Sequence, residues 1–127
     1  MNWTEAELAA YYARQQRQTA TVPLTVGPDT EAALRARLCR VSHAHGWQHY
    51  HTHDSRKSDS GWPDDVWCRP GELLVMELKI RPRKPTQEQL VWISLLSTVP
   101  GVEARVIYPG EDEYWLLARL QQPGKGR

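Results

Sequence analysis

Gly61-Trp62-Pro63-Asp64-Asp65, followed beyond a Pro70-Gly71 turn by Leu73-Leu74-Val75-Met76-Glu77-Leu78-Lys79, is the stretch on which the fold turns. The unbroken Leu-Leu-Val-Met run reads as a strand buried on both faces, and Pro70-Gly71 as the turn of a hairpin with a strand over 66–69. Residues i and i+2 of a strand point to the same face, so Glu77 and Lys79 project together from the end of an otherwise apolar segment. Burying both there is costly unless they find partners. The hairpin returns Asp64 to the mouth of the paired strand, where its carboxylate comes beside Glu77. Two converging carboxylates with backbone carbonyls make a hard oxygen site suited to magnesium or manganese. Phosphodiester hydrolysis asks for such a site: a metal to polarise the phosphate and activate water, and a cation to offset developing charge. Lys79 is placed for the second task, and can also orient or deprotonate the attacking water. Taken alone, Glu-Leu-Lys describes a solvated strand end or a cross-strand ion pair equally well. The weight lies in the whole constellation.

Working outward, Pro82 and Pro85 end the strand, and Thr86 caps a helix to about Ser97 with Leu90, Ile93 and Leu96 facing inward. Gly101 stops it. A strand over 102–108 with Val106 and Ile107 inside and a short helix over 113–120 close the chain. Upstream, Asp29 or Thr30 caps a helix to about His45 whose Leu34, Leu38 and Val41 share a face, and Gly46 terminates it. Residues 47–53 alternate rings and polar groups as a strand does, and 54–61 form a polar loop. Thr4 and Glu7 begin a peripheral helix over 4–18 as an apparent capping box, and 19–28 read as an extended linker. The expected order after that first helix is αβββαβα, an α/β domain with a central mixed sheet flanked by helices. The division is an N-terminal helix and linker (1–28), a main domain (29–120) and a flexible tail (121–127).

Composition sets limits on function. At 127 residues, 40% hydrophobic and 24% charged, the chain can bury one ordinary core and carries no stretch apolar enough to cross a membrane. Its start, Met-Asn-Trp-Thr-Glu-Ala-Glu, is acidic and amphipathic, unlike a secretory leader, and Cys39 and Cys68 make no disulfide framework. A cytoplasmic protein of a bacterial or phage-infected cell is expected. A net charge of +1 does not advertise nucleic-acid binding, so local distribution must decide. Positive charge gathers at Arg56 and Lys57, at Arg81, Arg83 and Lys84, and at Lys125 and Arg127, which suits a protein gripping a phosphate backbone on one face.

Residues 30–120 resemble the VRR-NUC branch of the PD-(D/E)XK nucleases. The resemblance rests on Gly61-Trp-Pro-Asp64, Glu77-Leu-Lys79, the Thr86-Gln-Glu-Gln89 helix start and the Tyr50-His-Thr-His-Asp-Ser-Arg56 approach. It implies a restriction-endonuclease-like αβββαβ core, with Asp64, Glu77 and the Leu78 carbonyl as metal ligands and Lys79 as the catalytic lysine. Glu31 is similar to the acid that the superfamily often places near the metal, and Gln89 to the glutamine that supports the site. Each also has an ordinary explanation, a helix-dipole partner for Glu31 and a solvated helix residue for Gln89. Asp65 departs from the pattern, which usually has an apolar residue there. The implied activity is a magnesium- or manganese-dependent DNA endonuclease, structure-selective on branched DNA in the manner of Holliday-junction resolvases. Symmetric cutting would call for a homodimer. A general nickase or nuclease of phage replication or packaging, and a DNA-binding module of the same fold that does not cut, remain open.

All five histidines fall between His43 and His53. His49, His51 and His53 share one face of a strand, a spacing at which imidazoles can chelate zinc, and a zinc-stabilised interaction protein is a third class. No cysteine or carboxylate completes a familiar zinc spacing, and phosphate-facing or solvated histidines are the simpler reading. His51 marks the expected edge of the active site. With Arg56, Lys57, Trp62, Arg81, Arg83 and Lys84 it makes up the expected DNA contacts, Trp62 as a ring that can wedge against a base or sugar and the last three as a phosphate clamp.

Overall fold

A computed structural model describes residues 4–11, 28–52 and 60–125. Thr30 opens helix α1 (Glu31–Ala44), its hydroxyl accepting a hydrogen bond from the Ala33 amide at 3.0 Å, a cap worth roughly 1 kcal/mol. Strands β1 (Gln48–His51), β2 (Asp65–Arg69) and β3 (Glu72–Leu78) follow, then helix α2 (Gln87–Leu96), strand β4 (Val102–Ile107) and helix α3 (Glu111–Leu120). This is the expected αβββαβα order. The sheet runs β1-β2-β3-β4, antiparallel for the first two pairings and parallel between β3 and β4. A parallel pairing needs a crossover connection, and α2 lies within it. The N-terminal helix is described over 5–11, where Thr4 accepts from the Glu7 amide at 3.0 Å and Tyr11 meets His43 of α1 edge-on at 4.6 Å.

The pleat sorts side chains to two faces. Asp65, Trp67 and Arg69 pair with Met76, Leu74 and Glu72, so these six share one face. On that face Trp67, Leu74, Met76 and Leu78 pack with Leu34 and Leu38 of α1 and Leu116 and Leu120 of α3 to make the core. The opposite face carries Val75 and Glu77, and β3 is buried on both, as its apolar run requires. No residue of α2 is fully buried. The inward stripe expected of this helix is corrected in one place: Leu90 is 43% exposed, as are Val91 and Leu95 to similar degrees. The helix is apolar on nearly every side, so periodicity alone does not select its packed face. Trp92, Ile93 and Leu96 are the half-buried ones.

At the hairpin end of the sheet Glu72 accepts hydrogen bonds from Arg69 at 2.7 Å and Arg119 at 2.9 Å, and Arg69 stacks 4.0 Å over the Trp47 ring. Arg69 holds the Glu72 carboxyl down at about 2 against the cost of burial, with help from Arg119. Gln122 and Lys125, in the segment expected to be a flexible tail, join this network through backbone hydrogen bonds to Arg69 and Glu72. No helix among the described residues is long and apolar enough to cross a membrane.

Candidate active site

The other end of the sheet, where β2 begins and β3 finishes, gathers the acids. Asp65 pairs with Met76, so Asp64 falls opposite Glu77, and the Asp64 amide donates to Glu77 Oε1 at 3.2 Å. The Asp64 carbonyl accepts from Thr52 at 3.0 Å, and the Lys79 amide donates to Ile107 of β4 at 3.0 Å. Backbone ladder therefore fixes both sides of the site. Lys79 Nζ stands 3.4 Å from Glu77 Oε2 as an ion pair. Glu77 is only 1% exposed, and among the described residues its Oε2 completes no hydrogen bond beyond that ion pair.

These groups line a cavity of about 340 Å³. Seven residues expected at the site meet there: Glu31, Trp62, Asp64, Glu77, Lys79, Arg83 and Gln89. Gln89 also completes a capping box, its Oε1 accepting from the Thr86 amide at 2.8 Å while its own amide donates to the Thr86 hydroxyl. That leaves the side-chain NH2 of Gln89 as the part free to donate elsewhere. Arg83 lies 3.9 Å from Glu31. Trp62 is half-buried and meets Trp92 edge-to-face at 5.0 Å. Arg81 and Lys84 line an adjoining cavity that shares Arg83. His51 sits on β1, 3.9 Å from Asp65. Arg56, Lys57 and His53 lie outside the described residues.

Electrostatics separates the two neighbouring aspartates. Burial and the charge of Asp65 push the Asp64 carboxyl above its usual range, against the pull of His51, Arg35 and Lys79. Burial and repulsion from Asp64 push Glu77 up to about 7, with Lys79 opposing. Asp65 goes the other way: burial alone would raise it, but hydrogen bonds from Arg35 and His49 outweigh that and hold it low. Arg35 grips both its oxygens at 2.7 and 2.8 Å, and His49 meets Oδ2 at 2.7 Å. Asp65 is thus a buried anchor that ties β2 to α1 and β1.

Four wall residues were given no role at the site from the sequence: Thr52, Ser60, Thr86 and Glu88. Ser60 and Glu88 hydrogen-bond across the cavity rim. Among the described residues no three His, Cys, Asp or Glu side chains form a ready metal cluster. Asp64 and Glu77 are a pair, and one or two carboxylates completed by water and substrate phosphate is the ordinary magnesium arrangement. A buried carboxylate whose one nearby cation, among the described residues, is Lys79 at 3.4 Å, beside a second carboxylate that repels it, fits a hard divalent cation. Compared with protein-family models, curated proteins and solved structures, the chain matches none.

Proposed function

We propose that this chain is a magnesium- or manganese-dependent DNA endonuclease with a restriction-endonuclease-like core. The observation that carries the reading is Glu77: a nearly inaccessible carboxylate whose Oε2, among the described residues, completes no hydrogen bond beyond the Lys79 ion pair, set against Asp64 in a cavity wall. Burial and the neighbouring Asp64 outweigh the Lys79 ion pair, so the arrangement costs the fold stability once Glu77 is ionised. Asp64, Glu77 and the Leu78 carbonyl would hold the ion, which when bound polarises a phosphate oxygen and makes a bound water nucleophilic. Lys79 offsets charge developing on the phosphate and orients the water. Gln89 donates from its NH2, and Arg83 anchors the incoming backbone. Branched DNA is the preferred substrate class, with a homodimer supplying one site per strand.

The test incubates the full chain with labelled four-way-junction, flap, single-stranded and linear duplex DNA, in magnesium, manganese or EDTA, beside Glu77→Ala. Metal-dependent cutting that the variant loses while keeping its circular dichroism spectrum is the expected result. Paired nicks near a junction identify a resolvase, and cutting of every substrate a general nuclease. Binding without any cutting would overturn the enzyme in favour of a DNA-binding module.

A further inference from the structure

The turn after β3 builds a second cavity of about 600 Å³, within the roughly 300–1,000 Å³ usual for small-molecule sites. Its walls are apolar: Pro82, Pro85, Leu90 and Tyr108. Its rim is cationic, from Arg81, Arg83 and Lys84. Tyr108 is held in place from two sides, its hydroxyl donating to the Arg83 carbonyl at 2.8 Å and its ring lying 4.3 Å beneath the Arg81 guanidinium. The Arg83 amide donates to the Ile80 carbonyl at 3.0 Å and tightens the turn. Leu90, the exposed leucine of α2, is part of this lining. Arg83 lines this cavity and the acidic one alike, so the two share a wall.

An open depression whose lining combines apolar and aromatic side chains with three cations suits a nucleobase carrying its own phosphate. A base in a duplex is stacked on both sides and cannot enter such a depression, whereas an unpaired one stacks readily on aromatic and guanidinium planes. We propose that this cavity receives one unpaired nucleobase of the DNA, while Arg83 on the shared wall holds the phosphate that leads to the acidic site. The inference rests on the nuclease reading above and gives it a substrate feature: DNA with an unstacked nucleotide next to the cut, as at a flap, bulge or junction.

The experiment measures binding in calcium, a hard cation that takes the same oxygen ligands, of two duplexes, identical except that one carries a single unpaired adenine and the other an abasic residue at that place. Wild type should prefer the adenine by about tenfold, since stacking of one base is worth that order. Leu90→Gln, at an exposed position, and Tyr108→Ala should each bring the ratio of the two affinities to one, a ratio that a general loss of phosphate contact through Arg81 or Arg83 would leave unchanged. Equal affinities in wild type, failure to bind either DNA, or a preference that survives both variants would overturn the proposal. A parallel cleavage assay in manganese separates the two ideas. Cutting with no base preference removes the pocket and leaves the nuclease, and a base preference without cutting does the reverse.

Discussion

Asp64 and Asp65 are adjacent in sequence and opposite in duty. One residue along a strand reverses the face, so Asp65 turns to α1 and Asp64 to the cavity. Removing the Asp65 charge strands Arg35, and loss of one partner of a largely buried ion pair costs about 3 kcal/mol or more. Asp65→Asn should therefore lower the urea midpoint sharply, whereas Asp64→Asn leaves it unchanged or raises it and removes activity. Comparable destabilisation by the two variants would sink this division. Glu77 supports a sharper expectation. Its carboxyl loses its proton near 4.5 when unfolded and at about 7 when folded. Folding thus favours the protonated form, and that contribution is complete below pH 4.5 and lost as the pH rises through 7. In EDTA, Glu77→Gln should melt higher than wild type at pH 8 by on the order of 2 kcal/mol, with the gap closing toward pH 4.5. A variant less stable than wild type at pH 8 would refute the reading.

Among elements, the contact between the loop before β2 and the start of α2 is the tightest. Gly61 has φ +88°, and a Cβ there would fall 2.6 Å from Glu88 Cβ and 2.7 Å from its carbonyl carbon. Backbone would have to move, not a side-chain tip. Gly61→Ala should cost about 1–3 kcal/mol and reduce cleavage further than the stability loss explains, because Trp62 and Asp64 shift with the loop. Full activity in a stable Gly61→Ala protein would show that this loop tolerates displacement. Much of this layout was legible in the sequence, and the reason is local: the Thr86 cap, the Pro70-Gly71 turn and the Glu77/Lys79 alternation each need only a few neighbouring residues. What escaped depends on distance along the chain. Arg35 and Asp65 are 30 residues apart and Ser60 and Glu88 28, so neither pairing leaves a spacing to read. Leu90 was misjudged for another reason, since on a helix apolar all round the packed side is decided by what lies above the sheet.

Across the whole molecule the sheet keeps stability and chemistry at opposite ends. At the hairpin end Glu72, Arg69 and Arg119 satisfy one another, and the depressed Glu72 carboxyl adds stability above pH 4.5 that fades as the pH falls toward 2. At the other end charges are left unbalanced. Among the described residues the cavity walls hold four carboxylates, Glu31, Asp64, Glu77 and Glu88, against the cations of Lys79 and Arg83. Even with Glu77 protonated the acids outnumber the cations, so a phosphodiester approaching the empty cavity climbs a repulsive field. If the proposed nuclease reading holds, the order of a turnover is cation first and DNA second. Added divalent ions weaken ordinary protein–DNA binding by competing for the phosphates. Here calcium, a hard cation taking the same oxygen ligands, should strengthen wild-type binding of branched DNA at constant ionic strength, and Glu77→Ala should abolish the gain. Weaker binding in calcium would reverse the sequence of arrivals. On this account the resting protein is a poor DNA binder by construction, and the supply of free divalent cation sets when it can take hold of its substrate.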